Sequence, residues 1–140
     1  MSVEELMKEG LLKRIPPSKE RAEGSIRTAE RYLASAKKSF DVSIDDMAIL
    51  AAYSSVFHAA RAILFIEGFA ERSHFAIYEY LNEKHADLGT DLIGTFNMYR
   101  KFRHSVAYGI DTKIETRDSQ EAVNFALEFL DRVKKYLKKY

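Results

Sequence analysis

Apolar residues recur along this chain at alternating steps of four and three, and almost nothing interrupts them. Ala22, Ile26, Ala29, Leu33, Ala36 and Phe40 form one such series. It is the stripe of an α-helix with 3.6 residues per turn. The only prolines are Pro16 and Pro17, and there are six glycines in 140 residues. An all-β chain needs turn residues far more often than that. Few breakers between long periodic segments therefore predict an all-α fold.

The stripes and breakers place five helices. The first long helix runs from Ser18 to Phe40, with Pro16-Pro17 stiffening its approach. The second spans Ile44 to Glu67. Ser43 and Asp46 resemble a capping box at its start, and Gly68 sits where a C-terminal cap glycine belongs. A shorter third helix spans Ser73 to His85, with Ile77 and Leu81 inside and Asp87–Gly89 ending it. The fourth, Thr90 to Tyr108, carries Leu92, Phe96, Tyr99, Phe102 and Val106 and stops at Gly109. A polar stretch, Asp111 to Asp118, leads to a fifth with Ala122, Ala126, Phe129, Val133 and Leu137. Short connections make neighbours antiparallel. The expectation is one domain, residues 1–140, an up-and-down four-helix bundle with an additional short helix. Residues 1–16 form an amphipathic N-terminal lead broken at Gly10.

The segment Met47 to Ile66 is apolar enough to imitate a membrane span. Ser54, Ser55, His58 and Arg61 interrupt it. An arginine near mid-span costs about 2.5–3.5 kcal/mol on insertion scales, so the segment reads as the central helix of a soluble bundle. The acidic, polar opening MSVEELMKEG does not read as a signal peptide. Cysteine is absent. That removes disulfides, thiolate metal sites and a cysteine nucleophile, and makes the reducing cytoplasm the natural location.

Charge is unevenly distributed. The formal net charge is +1, yet residues 41–98 carry nine acidic and three basic side chains, residues 99–113 four basic and one acidic, and residues 132–140 five basic and none acidic. The total excludes a histone-like nucleic-acid binder. The basic runs fit either solvated helix ends, which cations favour, or a surface for phosphate-bearing partners.

Few constellations carry chemistry. Glu71 and His74 have the i, i+3 spacing of di-iron bundles, but a second such pair and two inward glutamates are missing, so neither metal nor cofactor is expected. His85 reads as a surface or capping residue. His58 and Arg61 share a helix face and read as a hydrogen-bonded core or interface pair. The end of the fourth helix is richer. Arg100, His104 and Tyr108 form a ridge, with Lys101 beside it. Arg103 lies between that ridge and the apolar stripe, where it should be partly buried and paired. Cations, an imidazole and a phenol within two turns suit phosphate binding and proton movement. They equally suit a cation-rich helix end with tyrosines at the bundle edge.

The segment AYSSVFHAARAILFIEGFAERSHFAI, Ala52 to Ile77, resembles the second-helix signature of HEPN domains. The lead GLLKRIPPS, the run YRKFRHSVAYG and the late AVNFALEFL extend the resemblance over nearly the whole chain. Many HEPN domains are metal-independent ribonucleases. Their motif is Arg, four to six residues, then His, with a polar residue after the Arg, and dimerisation joins two copies in one cleft. Arg103 matches the motif Arg and His104 the polar position, but Tyr108 stands where the His belongs. The frame from Arg100 to His104 is one residue short. A phenol of pKa about 10 is a poor proton carrier at neutral pH.

The chain thus resembles small stand-alone members with Arg and Tyr at these places, often paired with a minimal nucleotidyltransferase in toxin–antitoxin-type systems. The resemblance implies a homodimer that binds a nucleotide, RNA or a nucleotidyltransferase partner. Arg103 would hold phosphate or a carboxylate. His104 and Tyr108 would line the cleft, and Arg100 and Lys101 would supply positive potential. The alternatives are a metal-independent ribonuclease toxin with His104 as acid or base, and a purely structural helical interaction module.

Overall fold

A computed structural model describes residues 1–140. The chain is all-α apart from one small sheet. Helix α1 (Val3–Lys8) leads into strand β1 (Leu12–Arg14). Helices α2 (Lys19–Asp41) and α3 (Asp45–Glu67) follow, then β2 (Phe69–Glu71), α4 (His74–Lys84), a 3₁₀ turn at Ala86–Leu88, α5 (Thr90–Tyr108), α6 (Thr116–Tyr136) and a final 3₁₀ turn at Leu137–Lys139. Helices α2, α3 and α5 lie within one residue of their expected bounds, and α6 begins three residues early.

Helix α3 is the hub. It packs on α2, α5 and α6, which explains its apolar composition. Asp45 Oδ1 accepts from Ser119 Oγ at 2.7 Å where α3 and α6 begin. Tyr140 Oη donates to Glu67 Oε2 at 2.5 Å where they end. The two helices therefore run in the same direction, with α2 and α5 against them. Phe96 and Phe129 are fully buried between α5 and α6, their ring centroids 6.0 Å apart. By length and hydropathy α3 is the one helix able to cross a membrane. Just over half of its most apolar window is buried in the bundle, as in the core helix of a soluble protein.

Helix ends follow side-chain chemistry. Ser18 and Ser73 accept the N–H groups of Arg21 and Ala76. A Glu115–Asp118 capping box starts α6 three residues before Ser119, so the polar connection is shorter than Asp111–Asp118. The expected Ser43–Asp46 box does not form. Ser43 has a φ of 62° and terminates α2, Ile44 takes the N-cap position without a side-chain bond, and Asp46 bonds the adjacent Met47 N–H. The connection between α2 and α3 is so short that its serine serves the ending helix.

The small sheet is not legible in the stripes. Leu12–Arg14 pairs antiparallel with Phe69–Glu71, Leu12 opposite Glu71. It pins the lead segment beside the end of α3. Gly68 makes this possible. Its φ is 91°, and a Cβ there would lie 2.9 Å from the Ile15 carbonyl and 3.0 Å from Pro17. Gly68→Ala should therefore lower stability by more than about 1 kcal/mol, read as a lower urea midpoint at unchanged slope.

His85 departs most from its sequence reading. It is 4% exposed. Its Nε2 meets Glu67 Oε1 at 2.5 Å and its Nδ1 meets the Tyr136 hydroxyl at 2.7 Å. Tyr80 and Tyr140 also donate to Glu67, and Tyr136 donates to Asp87. The end of α3, the α4–α5 connection and the last turns of the chain are thus clasped around one carboxylate.

Candidate functional site

The C-terminal half of α5 turns two faces to its surroundings. Leu92, Phe96 and Tyr99 are buried in the core. One turn on, Arg103 is half-buried, its guanidinium 5.9 Å from the centre of the Tyr53 ring. Arg100 lies 5.4 Å from the centre of the Phe75 ring, and its Nε donates to Asn97 Oδ1 at 2.9 Å. No carboxylate lies within ion-pair distance of either arginine. Arg103 is partly buried as expected, but its partner is an aromatic face and not an acid. Such cation–π contact restrains a guanidinium while leaving its N–H groups free.

The outer face carries Lys101, His104 and Tyr108, all exposed. The rings of His104 and Tyr108 stand 5.0 Å apart. The five α5 residues singled out from sequence therefore do not converge on one point. Arg103 and Arg100 face α3 and α4, and the others face solvent.

Helices α3 and α4 bring to the two arginines a group that sequence reasoning missed. Tyr53 is buried under Arg103, and its hydroxyl lies 2.8 Å from His74 Nδ1. The His74 ring stacks on Phe57 with centroids 4.1 Å apart and planes 17° off parallel. Burial, then Arg103, Arg100, Arg61 and His58, hold the His74 pKa below its ordinary value. Burial also drives the Tyr53 phenol well above its usual range against the pull of Arg103 and Arg100. At neutral pH both groups are uncharged amid cations. Nothing along the chain signals this pairing, because Tyr53 and His74 lie on different helices and meet only in the fold.

The neighbouring pairs resolve differently from their spacing. Arg61 Nε approaches Glu71 Oε1 at 2.6 Å, an ion pair by distance without an aligned hydrogen bond. Burial raises the Glu71 pKa, with Arg61 opposing. Arg61 also covers Phe57 and Phe65. His58 is not hydrogen-bonded to Arg61. It stacks on Tyr32 at 5.5 Å, with Arg31 over the same tyrosine. Glu71 and His74 thus turn to different partners, and no three acidic or imidazole side chains cluster as metal ligands do.

The resulting surface layers planar rings and guanidinium groups from α2 to α5, with Arg31, Arg100 and Arg103 free of acidic partners. Guanidinium groups bind phosphate oxygens in pairs, and exposed rings accept stacked bases. Two comparisons with known proteins bear on this surface. A family model described as HEPN domain matches residues 22–136. A curated protein of Methanocaldococcus jannaschii, provisionally named a toxin, is 27% identical over 129 residues, covering 86% of this chain and 91% of that protein.

Proposed function

The chain belongs to the HEPN domain family, and from that premise we propose that it is a toxin-type HEPN protein whose α5 arginines bind the phosphates of a nucleotide or RNA. The observation that carries this reading is the pair Arg100 and Arg103, held on aromatic rings with no acid to neutralise them. Arg103 and Arg100 hold phosphate, and Lys101 adds positive potential. His104 and Tyr108 line the mouth. A tyrosine at position 108, where an imidazole would move the ribose proton, favours binding over cleavage.

The protein acts as a homodimer in the cytoplasm, paired with a nucleotidyltransferase partner in a two-component system. The end of the bundle that holds Tyr108 supports the dimer. It exposes Val42, Ile44, Met47 and Ile110, the last 94% exposed. A second copy covering this apolar end would bring two His104–Tyr108 pairs into one cleft.

A second reading, metal-independent ribonuclease, has one observation in its favour: His104 is exposed beside Tyr108, where a substrate can reach it. Labelled RNA incubated in EDTA with the protein and with Arg103→Ala/His104→Ala separates the two. The binding reading expects RNA retained intact by a dimer at micromolar concentration, with retention lost in the double variant. Cleavage that survives EDTA and vanishes in the double variant would instead establish the nuclease. Retention of RNA by neither protein would leave a helical interaction module.

A further inference from the structure

We propose that His74, positioned by Tyr53, is a ligand-contacting residue of this surface: its Nε2 bonds a phosphodiester oxygen held by Arg100 and Arg103. The inference rests on the phosphate-binding reading and goes beyond it, because His74 lies on α4, outside the Arg103–Tyr108 segment. Three features of geometry support it. The ring is fixed, with its face on Phe57 and its Nδ1 on the Tyr53 hydroxyl. The same Tyr53 ring carries Arg103, so imidazole and guanidinium are placed by one side chain. Nε2 is left without a protein partner on a half-buried residue. The polar atom of a fixed ring that points away from its own anchors is free for a ligand.

The charges around the ring make this contact proton-linked. Arg100 and Arg103 bear on it from α5, and Arg61, His58 and the Tyr53 phenol from α3. Glu71, from β2, is engaged with Arg61. With cations in excess, the free ring stays neutral at pH 7. A phosphodiester between the two arginines offsets their field and adds a negative acceptor at Nε2. Both effects favour the imidazolium, so binding draws a proton onto His74. By linkage, lowering the pH must then strengthen binding. The gain is complete below the pKa of the free ring and is lost as pH rises through the pKa of the complex.

The test uses a 2′-O-methyl uridine octamer, which cannot be cleaved and whose diesters keep one negative charge across the window. Its affinity is measured by fluorescence anisotropy from pH 7.5 to 5.5. The wild-type protein should bind about fivefold or more tightly at the lower pH. His74→Gln should remove most of that pH dependence, and Tyr53→Phe should weaken it. In parallel, the His74 Cε1–H resonance, assigned by through-bond NMR in the wild-type protein, should titrate at higher pH in the complex than in the free protein. This second measurement stands even if the glutamine variant misfolds. Arg103-dependent binding with the same pH dependence in a folded His74→Gln protein, or an unmoved His74 titration, overturns the inference and leaves the phosphate-binding reading intact. Failure of the folded wild-type protein to bind, or binding indifferent to Arg103→Ala, overturns that reading and the inference with it.

Discussion

Replacing Glu67 with leucine lowers the unfolding free energy by about 3 kcal/mol at pH 7. The side chain removed is the shared acceptor for Tyr80, Tyr140 and His85. His85 is nearly fully buried and Tyr80 is 2% exposed. Leucine fills the space but leaves an imidazole nitrogen and a phenol without partners, and that desolvation loss sets the size of the effect. Glu67→Gln keeps an acceptor and should cost less. The wild-type contribution is also pH-dependent. Burial raises the Glu67 pKa, but hydrogen bonds from Tyr140, Tyr80 and His85 outweigh it and leave the pKa below its ordinary value. A carboxyl depressed on folding adds stability that is present above the unfolded pKa, near 4.3, and lost as pH falls through the folded value. Urea unfolding at a series of pH values should show the difference between wild type and Glu67→Gln shrinking below about pH 4.3. A loss under about 1 kcal/mol for the leucine variant would mean that water serves these donors as well as the carboxylate does.

What the sequence reveals about this fold is what local periodicity encodes. The series from Ala22 to Phe40 and from Leu92 to Val106 are helical stripes because each residue's face is set by its own position. Gly68 is legible for a similar reason, since few residues besides glycine end a helix with positive φ. The pairing of Leu12–Arg14 with Phe69–Glu71 is different. Three-residue strands carry too little alternation to stand out, and they exist only because α3 returns the chain to the lead segment. His85 looks like a solvated helix end because its partners are Glu67 and Tyr136, 18 and 51 residues away. Ser43 shows the limit of capping signals: two helices compete for one short connection, and the ending helix takes the serine.

The candidate site divides along the same line. Arg100 and Arg103 are visible as cations on a helix with a known stripe, and half-burial of Arg103 follows from its angle. Its partner does not follow, because an arginine at a stripe's edge can meet an acid or a ring with equal ease. The acidic middle of the chain is rich in carboxylates. The fold commits several of them elsewhere: Glu67 to the tyrosine clasp, Glu71 to Arg61, Asp45 to Ser119 and Asp87 to Tyr136. A net charge of +1 therefore hides a surface where the α5 arginines keep their full field.

That field makes Arg100→Ala/Arg103→Ala the substitution with the largest expected effect on ligand binding. Each guanidinium–phosphate bond is worth about 1.5–3 kcal/mol, so losing both should weaken binding of the uridine octamer at least a hundredfold, by roughly 3 kcal/mol or more. Neither arginine is ion-paired and both are half-buried, so the variant should retain its helical circular dichroism and most of its stability. The salt dependence identifies the cause. Each phosphate contact on a single strand contributes about 0.7 to the slope of log affinity against log salt. Because the two arginines hold one phosphodiester between them, losing both should flatten that slope by about 0.7. A hundredfold loss with an unchanged slope would mean that the arginines support the surface through Tyr53 and Phe75 without touching phosphate. Full affinity in the double variant would remove the phosphate role from α5 altogether, and with it the reason for reading the Arg103–Tyr108 segment as a binding motif.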